Sequence, residues 1–196
     1  MGGRSPRSRE KAADAAEARA IRKLRRDEAG GRYPRALAVR ALRAKRAILL
    51  DVSLTGPPQT HAVWLAPSGD VPHDPRVLPW PLPSQCAHTA VVPHVLEYLD
   101  PATWDAWWTE LHRVLRPKGR VYISGPYGGD LSVAWFDDPR HRMRITGEGL
   151  RHLDVRARTP EEQTRPLPPW HVVSFTRLPV GGGRIHYNAI LEAVAA

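Results

Sequence analysis

The chain has 196 residues and a mass of 21.9 kDa, room for one ordinary domain and an appendage but not two full domains. Hydrophobic residues make up 42% and charged residues 25%, which excludes a fully disordered or fibrous chain. The single cysteine, Cys86, excludes an internal disulfide framework and a cysteine-type zinc site, and no apolar run reaches the roughly 18 residues of a membrane span. No secretory signal core is present, so the expected setting is the cytoplasm, or a virion if the chain is phage-encoded.

Charge is divided unevenly. Residues 1–47 carry 15 Lys and Arg against 5 Asp and Glu, a net of +10. Residues 48–196 carry 14 basic and 15 acidic side chains, a net of −1. This predicts two parts, a basic N-terminal arm over 1–47 and a near-neutral α/β domain over 48–196. Such an arm calls for an anionic partner, nucleic acid or an acidic protein surface, or else serves as a solubilising helix.

The arm reads as two helices. Ser8 caps a helix over Glu10–Glu28 that Gly30-Gly31 stops; its only large apolar residues are Ile21 and Leu24, so it has little to bury. Arg22, Lys23, Arg25 and Arg26 on it are the candidate partner-binding residues. A second helix spans Pro34–Arg46, with Leu37, Ala38, Ala41 and Leu42 on one face.

The domain opens on Ala47-Ile48-Leu49-Leu50, a run that reads as a strand buried on both faces, and His61–Ala66 is a second strand candidate. Pro67–Pro83 is too rich in proline for a regular element. A third strand is expected at His88–Val92. Asp100-Pro101 then starts a helix, with Trp104, Trp107, Trp108, Leu111, Val114 and Leu115 as its apolar stripe. Three tryptophans so close exceed what one face ordinarily buries, so one of them is a candidate partner contact. Pro117-Lys118-Gly119 ends the helix before a fourth strand at Arg120–Ser124, which makes a right-handed βαβ unit. Trp170–Leu178 and Arg184–Leu191, joined through Gly181-Gly182-Gly183, predict a closing antiparallel hairpin.

Four segments resemble class I S-adenosylmethionine-dependent methyltransferases of the compact "type 11" group. His94-Val95-Leu96-Glu97-Tyr98-Leu99 is similar to the stretch after the fourth strand. Leu111–Ser124 is similar to the helix, turn and fifth strand, Leu78-Pro79-Trp80-Pro81 to the loop after strand three, and Asp138-Pro139-Arg140-His141 with Ile145-Thr146 to the segment beyond strand five. The resemblance covers the domain and not the arm. It implies a Rossmann-like, mostly parallel sheet with a C-terminal antiparallel hairpin, behind a helical basic arm.

The resemblance also implies a cofactor site, at Asp51, Thr55, Gly56, Asp74 and His94. In the family the first strand ends in a glycine-rich turn, because only glycine lets backbone approach the ligand closely. Here Ser53 and Thr55 stand in for glycines and Pro57-Pro58 follows. Strand two ends in Trp64-Leu65-Ala66-Pro67 without the family's ribose-binding acid; Asp70 comes several residues later. Asp138 and His141 are the candidate catalytic residues, while Asp-Pro by itself predicts a turn. No metal-ligand spacing occurs among the nine histidines. The expectation from these replacements is a methyltransferase-like component of a larger assembly, such as a phage particle or nucleoprotein complex, without cofactor. The alternative is an active enzyme that uses S-adenosylmethionine on an anionic or nucleic-acid-associated substrate.

Overall fold

A computed structural model of the chain describes residues 48–54, 59, 62–129 and 132–195, all within the unit Pro34–Ala196. The two predicted arm helices, with Arg22, Lys23, Arg25 and Arg26, lie outside the described residues, as do Thr55 and Gly56.

Seven strands form one sheet in the order β3-β2-β1-β4-β5-β7-β6. β1 (Ile48–Val52), β2 (Val63–Ala66), β3 (Val71–Pro72), β4 (Ala87–Pro93) and β5 (Leu115–Pro126) run parallel. β7 (Arg184–Ala193) lies antiparallel to β5, and β6 (Trp170–Gly181) antiparallel to β7. The apolar runs became the central strands for the expected reason: Leu50, Val52, Ala90 and Val92 are completely buried, as in a sheet covered on both faces.

Three boundaries differ from the sequence reading. The proline-rich stretch does contain a strand, β3; Pro72 is tolerated because β3 is an edge strand and its missing N–H costs no ladder bond. Asp100 does cap, its carboxylate accepting from Ala102 N–H, but it opens a 3-10 turn over Pro101–Thr103 before helix α1 (Trp104–Val114) begins. That helix stops at Val114, and β5 already starts at Leu115. The extra residues are absorbed as an irregularity against β4, with Lys118 at φ +64° and Gly119 where a Cβ would lie 2.7 Å from Arg116 O. In the hairpin, Gly182 and Gly183 both have positive φ, as a tight turn between right-twisted strands requires.

The core beside α1 is built of indoles. Trp80, Trp107, Trp108 and Trp170 meet edge to face in sequence at 5.7, 5.3 and 5.5 Å, and Trp104 joins Trp108 at 5.6 Å. Trp107 and Trp108 are fully buried and Trp104 is 8% exposed, so the expectation of a tryptophan left over for a partner is corrected. β5 and Trp170 at the entry to β6 supply facing surface that the helical stripe alone did not reveal. Cys86 is buried too, and desolvation pushes its thiol up to about 11. Helices α2 (Gly147–Arg151) and α3 (Pro160–Gln163) are short; Thr146 and Thr159 cap them with side-chain oxygens.

Candidate functional site

The chain order of the strands reverses between β1 and β4: β2 and β3 lie on one side of β1, and β4 and β5 on the other. Loops leaving neighbouring strands in opposite directions open a crevice at the strands' carboxyl ends, where ligands bind in open α/β sheets. Asp51 sits near the end of β1, and His94 and Glu97 follow β4 directly.

Asp51 is 1% exposed. Its Oδ2 accepts from Gln59 N–H at 2.6 Å, and its Oδ1 has no partner among the described residues. Burial raises its pKa, against the opposing pull of the Gln59 N–H and the Ser53 hydroxyl.

Glu97, within a 3-10 turn at Leu96–Tyr98, is wholly buried. Its Oε1 meets Nδ1 of His94 at 3.0 Å, while its Oε2 has no partner among the described residues. Space for this carboxylate comes from Gly125 of β5, where a Cβ would lie 3.1 Å from Oε2 and 3.3 Å from Oε1. His94 adopts φ +52°, a left-handed backbone that costs a non-glycine residue on the order of 1–3 kcal/mol. Its N–H is held by Ser124 O of β5 at 2.9 Å. The imidazole remains half exposed and packs edge to face on His186 of β7 at 5.5 Å. Glu97 raises the pKa of His94; burial, and then the charge of His94, lower that of His186. The buried hydroxyl of Tyr187, beside His186 in sequence, has no partner among the described residues, and burial and then Glu97 push its pKa far up.

This geometry fixes a pH dependence. A histidine with a raised folded pKa contributes stability in full below the ordinary histidine value and loses it as pH rises through the folded midpoint. NMR titration of the ring is expected to place the His94 midpoint above the ordinary value, and Glu97→Gln is expected to bring it down. A midpoint unmoved by that substitution would show that Glu97 does not hold the ring.

The remaining predicted positions are engaged locally. Asp74-Pro75-Arg76 and Asp138-Pro139-Arg140 form the same turn twice: the aspartate accepts the arginine's N–H at 2.9 Å, and the guanidinium folds back onto both carboxylate oxygens. Asp74 is thereby committed to Arg76, which lowers its pKa. Asp138 also accepts from Tyr98 Oη at 2.9 Å, and Arg140 holds it far below the usual carboxylate range. His141 Nδ1 lies 2.7 Å from Trp135 O, and its ring packs on Tyr98. At β2, Trp64 Nε1 donates to Ser53 Oγ at 2.7 Å and Trp64 N–H to Asp70 Oδ2 at 3.0 Å. The late acid thus serves the backbone of β2, and the serine at the glycine position holds an indole.

Sequence reasoning named His94 but missed Glu97 as its partner. The signal was the spacing of the two residues, which one 3-10 turn brings together. Gly125, His186 and Tyr187 carried no such signal, because β5 and β7 meet only through sheet pairing.

No family model matches this sequence, and no curated protein matches it. Solved structures do resemble it. A 1,6-didemethyltoxoflavin-N1-methyltransferase from Burkholderia thailandensis, with bound 1,6-didemethyltoxoflavin and S-adenosylhomocysteine, aligns at TM-score 0.52 and 15% identity over 100% of this chain and 93% of its own. A variant of a 16S rRNA (adenine(1408)-N(1))-methyltransferase from Catenulisporales acidiphilia aligns at TM-score 0.51 and 14% identity, over 83% and 92%. With its five parallel strands and antiparallel closing hairpin, the chain has the class I S-adenosylmethionine-dependent methyltransferase fold.

Proposed function

We propose that the chain is an S-adenosylmethionine-dependent methyltransferase whose chemistry takes place over the carboxyl ends of β1 and β4. The observation that carries this reading is the buried Glu97 carboxylate behind a half-exposed His94 at the reversal of strand order, with one carboxylate oxygen unsatisfied among the described residues. An unpaired buried polar group costs about 1–3 kcal/mol, more when charged. Strained backbone at His94 adds to that cost, and such strain clusters at functional sites.

Asp51 would hold the cofactor. S-adenosylmethionine carries an ammonium and two ribose hydroxyls, donors to Asp51 Oδ1, which has no partner among the described residues. When bound, it supplies an electrophilic methyl group on a sulfonium sulfur. The chain's own contribution is proton acceptance: Glu97 orients the imidazole through Nδ1, so the other ring nitrogen of His94 takes the proton of an acceptor N–H or O–H. The raised pKa of His94 brings it toward neutral working pH, where a general base is most effective. Asp138, held far below that range, is a poor base by comparison.

One observation favours a second reading, a cofactor-free scaffold within an assembly: no acid ends β2, and both Ser53 and Asp70 are engaged by Trp64. Calorimetry with S-adenosylmethionine separates the two. One-to-one binding is expected, with Asp51→Asn weakening it about tenfold, which is about 1.4 kcal/mol. Absence of binding heat would leave the scaffold reading standing.

A further inference from the structure

The segment Val133–Arg144 forms a rim attached directly to the Glu97 backbone. Arg142 N–H and Met143 N–H both donate to Glu97 O, at 2.7 and 3.1 Å. Tyr98 Oη joins the rim to the turn after β4, and Arg184 at the start of β7 pairs with Asp137 at 2.7 Å. The rim therefore borders the carboxyl end of the sheet beside His94.

Its surface combines cations with aromatic rings. Phe136 is 65% exposed, the most exposed large apolar side chain among the described residues. Arg144 stacks its guanidinium 4.8 Å from the Trp135 ring centre and 5.4 Å from that of Phe136, and has no carboxylate partner among the described residues. Arg140 and Arg142 each keep most of their side chain exposed while pairing with Asp138 and Asp100. An exposed ring beside the Arg144 guanidinium is a platform for a stacked base with its phosphate on the cation. The same chain carries a net +10 in residues 1–47, whereas residues 48–196 are nearly neutral.

We propose that this rim binds single-stranded nucleic acid and presents one of its bases to His94 as the methyl acceptor. The acceptor role rests on the methyltransferase reading; the binding itself does not. A protein partner with an acidic surface would use the arginines but gain nothing from an exposed Phe136, and duplex bases are already stacked on one another. Both features favour a single strand.

The test is fluorescence anisotropy of the full chain with labelled oligouridylate and oligodeoxythymidylate at several salt concentrations, with polyglutamate as the acidic-protein probe and no cofactor present. Wild type is expected to bind at least one oligonucleotide, and more tightly than polyglutamate; a preference between the two names the sugar. Phe136→Ala is expected to weaken binding about tenfold at an unchanged log–log salt slope, since a stacked base and not a phosphate is lost. Arg144→Gln is expected to lower that slope by about 0.7. Arg120→Gln, which removes the same charge midway along β5 where Arg120 pairs with Glu192, is expected to change neither. No oligonucleotide binding, equal binding of polyglutamate, or full binding by both rim variants would overturn the proposal. Because the assay omits S-adenosylmethionine, its failure stays distinct from failure of the cofactor calorimetry.

Discussion

Trp107→Ala is expected to lower the unfolding free energy by about 3–5 kcal/mol, a large part of the stability of a domain this size. Trp107 is completely buried and meets both Trp80 and Trp108 edge to face, so the truncation leaves a cavity and removes two aromatic contacts. Its effect extends beyond packing. Trp107 Nε1 and Trp80 Nε1 both donate to Pro75 O at 3.0 Å, pinning the turn that carries Asp74. Trp107→Phe keeps a ring in place but removes the N–H, and is expected to cost less, about 1–2 kcal/mol. Urea denaturation measures both. An alanine variant within about 1.4 kcal/mol of wild type, one tenfold change in the folding equilibrium, would show that the indole chain is not the core's main support.

Arg158→Met is expected to cost about 3–5 kcal/mol although no carboxylate is lost. Arg158 is 9% exposed, and its guanidinium donates to four backbone carbonyls: His152 O, Leu153 O, Leu167 O and Pro168 O. Burial lowers its pKa, yet the group remains charged. Methionine refills much of the volume but leaves those four acceptors without their donors. Since they belong to the turn after α2 and the approach to β6, the loss loosens the strand that brings Trp170 to the core. Arg158→Lys is expected to recover only part of the stability, because an ammonium is a point donor where the fork reaches four oxygens at once. A midpoint shift in urea as small as that of an exposed arginine substitution would contradict this account.

The parallel order around α1 was legible because its signals are local. Apolar runs of strand length, an Asp-Pro start and a stripe at helical spacing each depend on neighbours within a turn or two. The hairpin was equally local, with three glycines between two alternating segments. What failed were boundaries: β3 inside the proline-rich stretch, and the junction of α1 with β5. There sheet pairing overrode propensity, extending β5 back to Leu115 past Pro117 and Gly119.

The site divides along the same line. Asp51 and His94 stood out from the sequence because each adjoins the end of a recognisable strand. Asp74 and Asp138 stood out as well, and the sequence also carried the competing reading of an Asp-Pro turn, which is the geometry both adopt with the arginine that follows. Glu97, Gly125, His186 and Phe136 did not stand out. Their roles depend on a carboxylate from one strand's loop meeting a glycine of the next strand and a histidine of an antiparallel third.

By itself, the sequence determined the sheet's composition, the tryptophan helix, the closing hairpin and the concentration of charge in the first 47 residues. These follow from periodicity, capping and composition, which act over a few residues. Only the tertiary structure decided that Trp104, Trp107 and Trp108 are all internal, that Trp64 claims Ser53, and that Glu97 stands buried behind His94 with one oxygen unpartnered among the described residues. Burial and hydrogen-bond satisfaction are set by residues distant in the chain, and no local pattern encodes which of them will arrive.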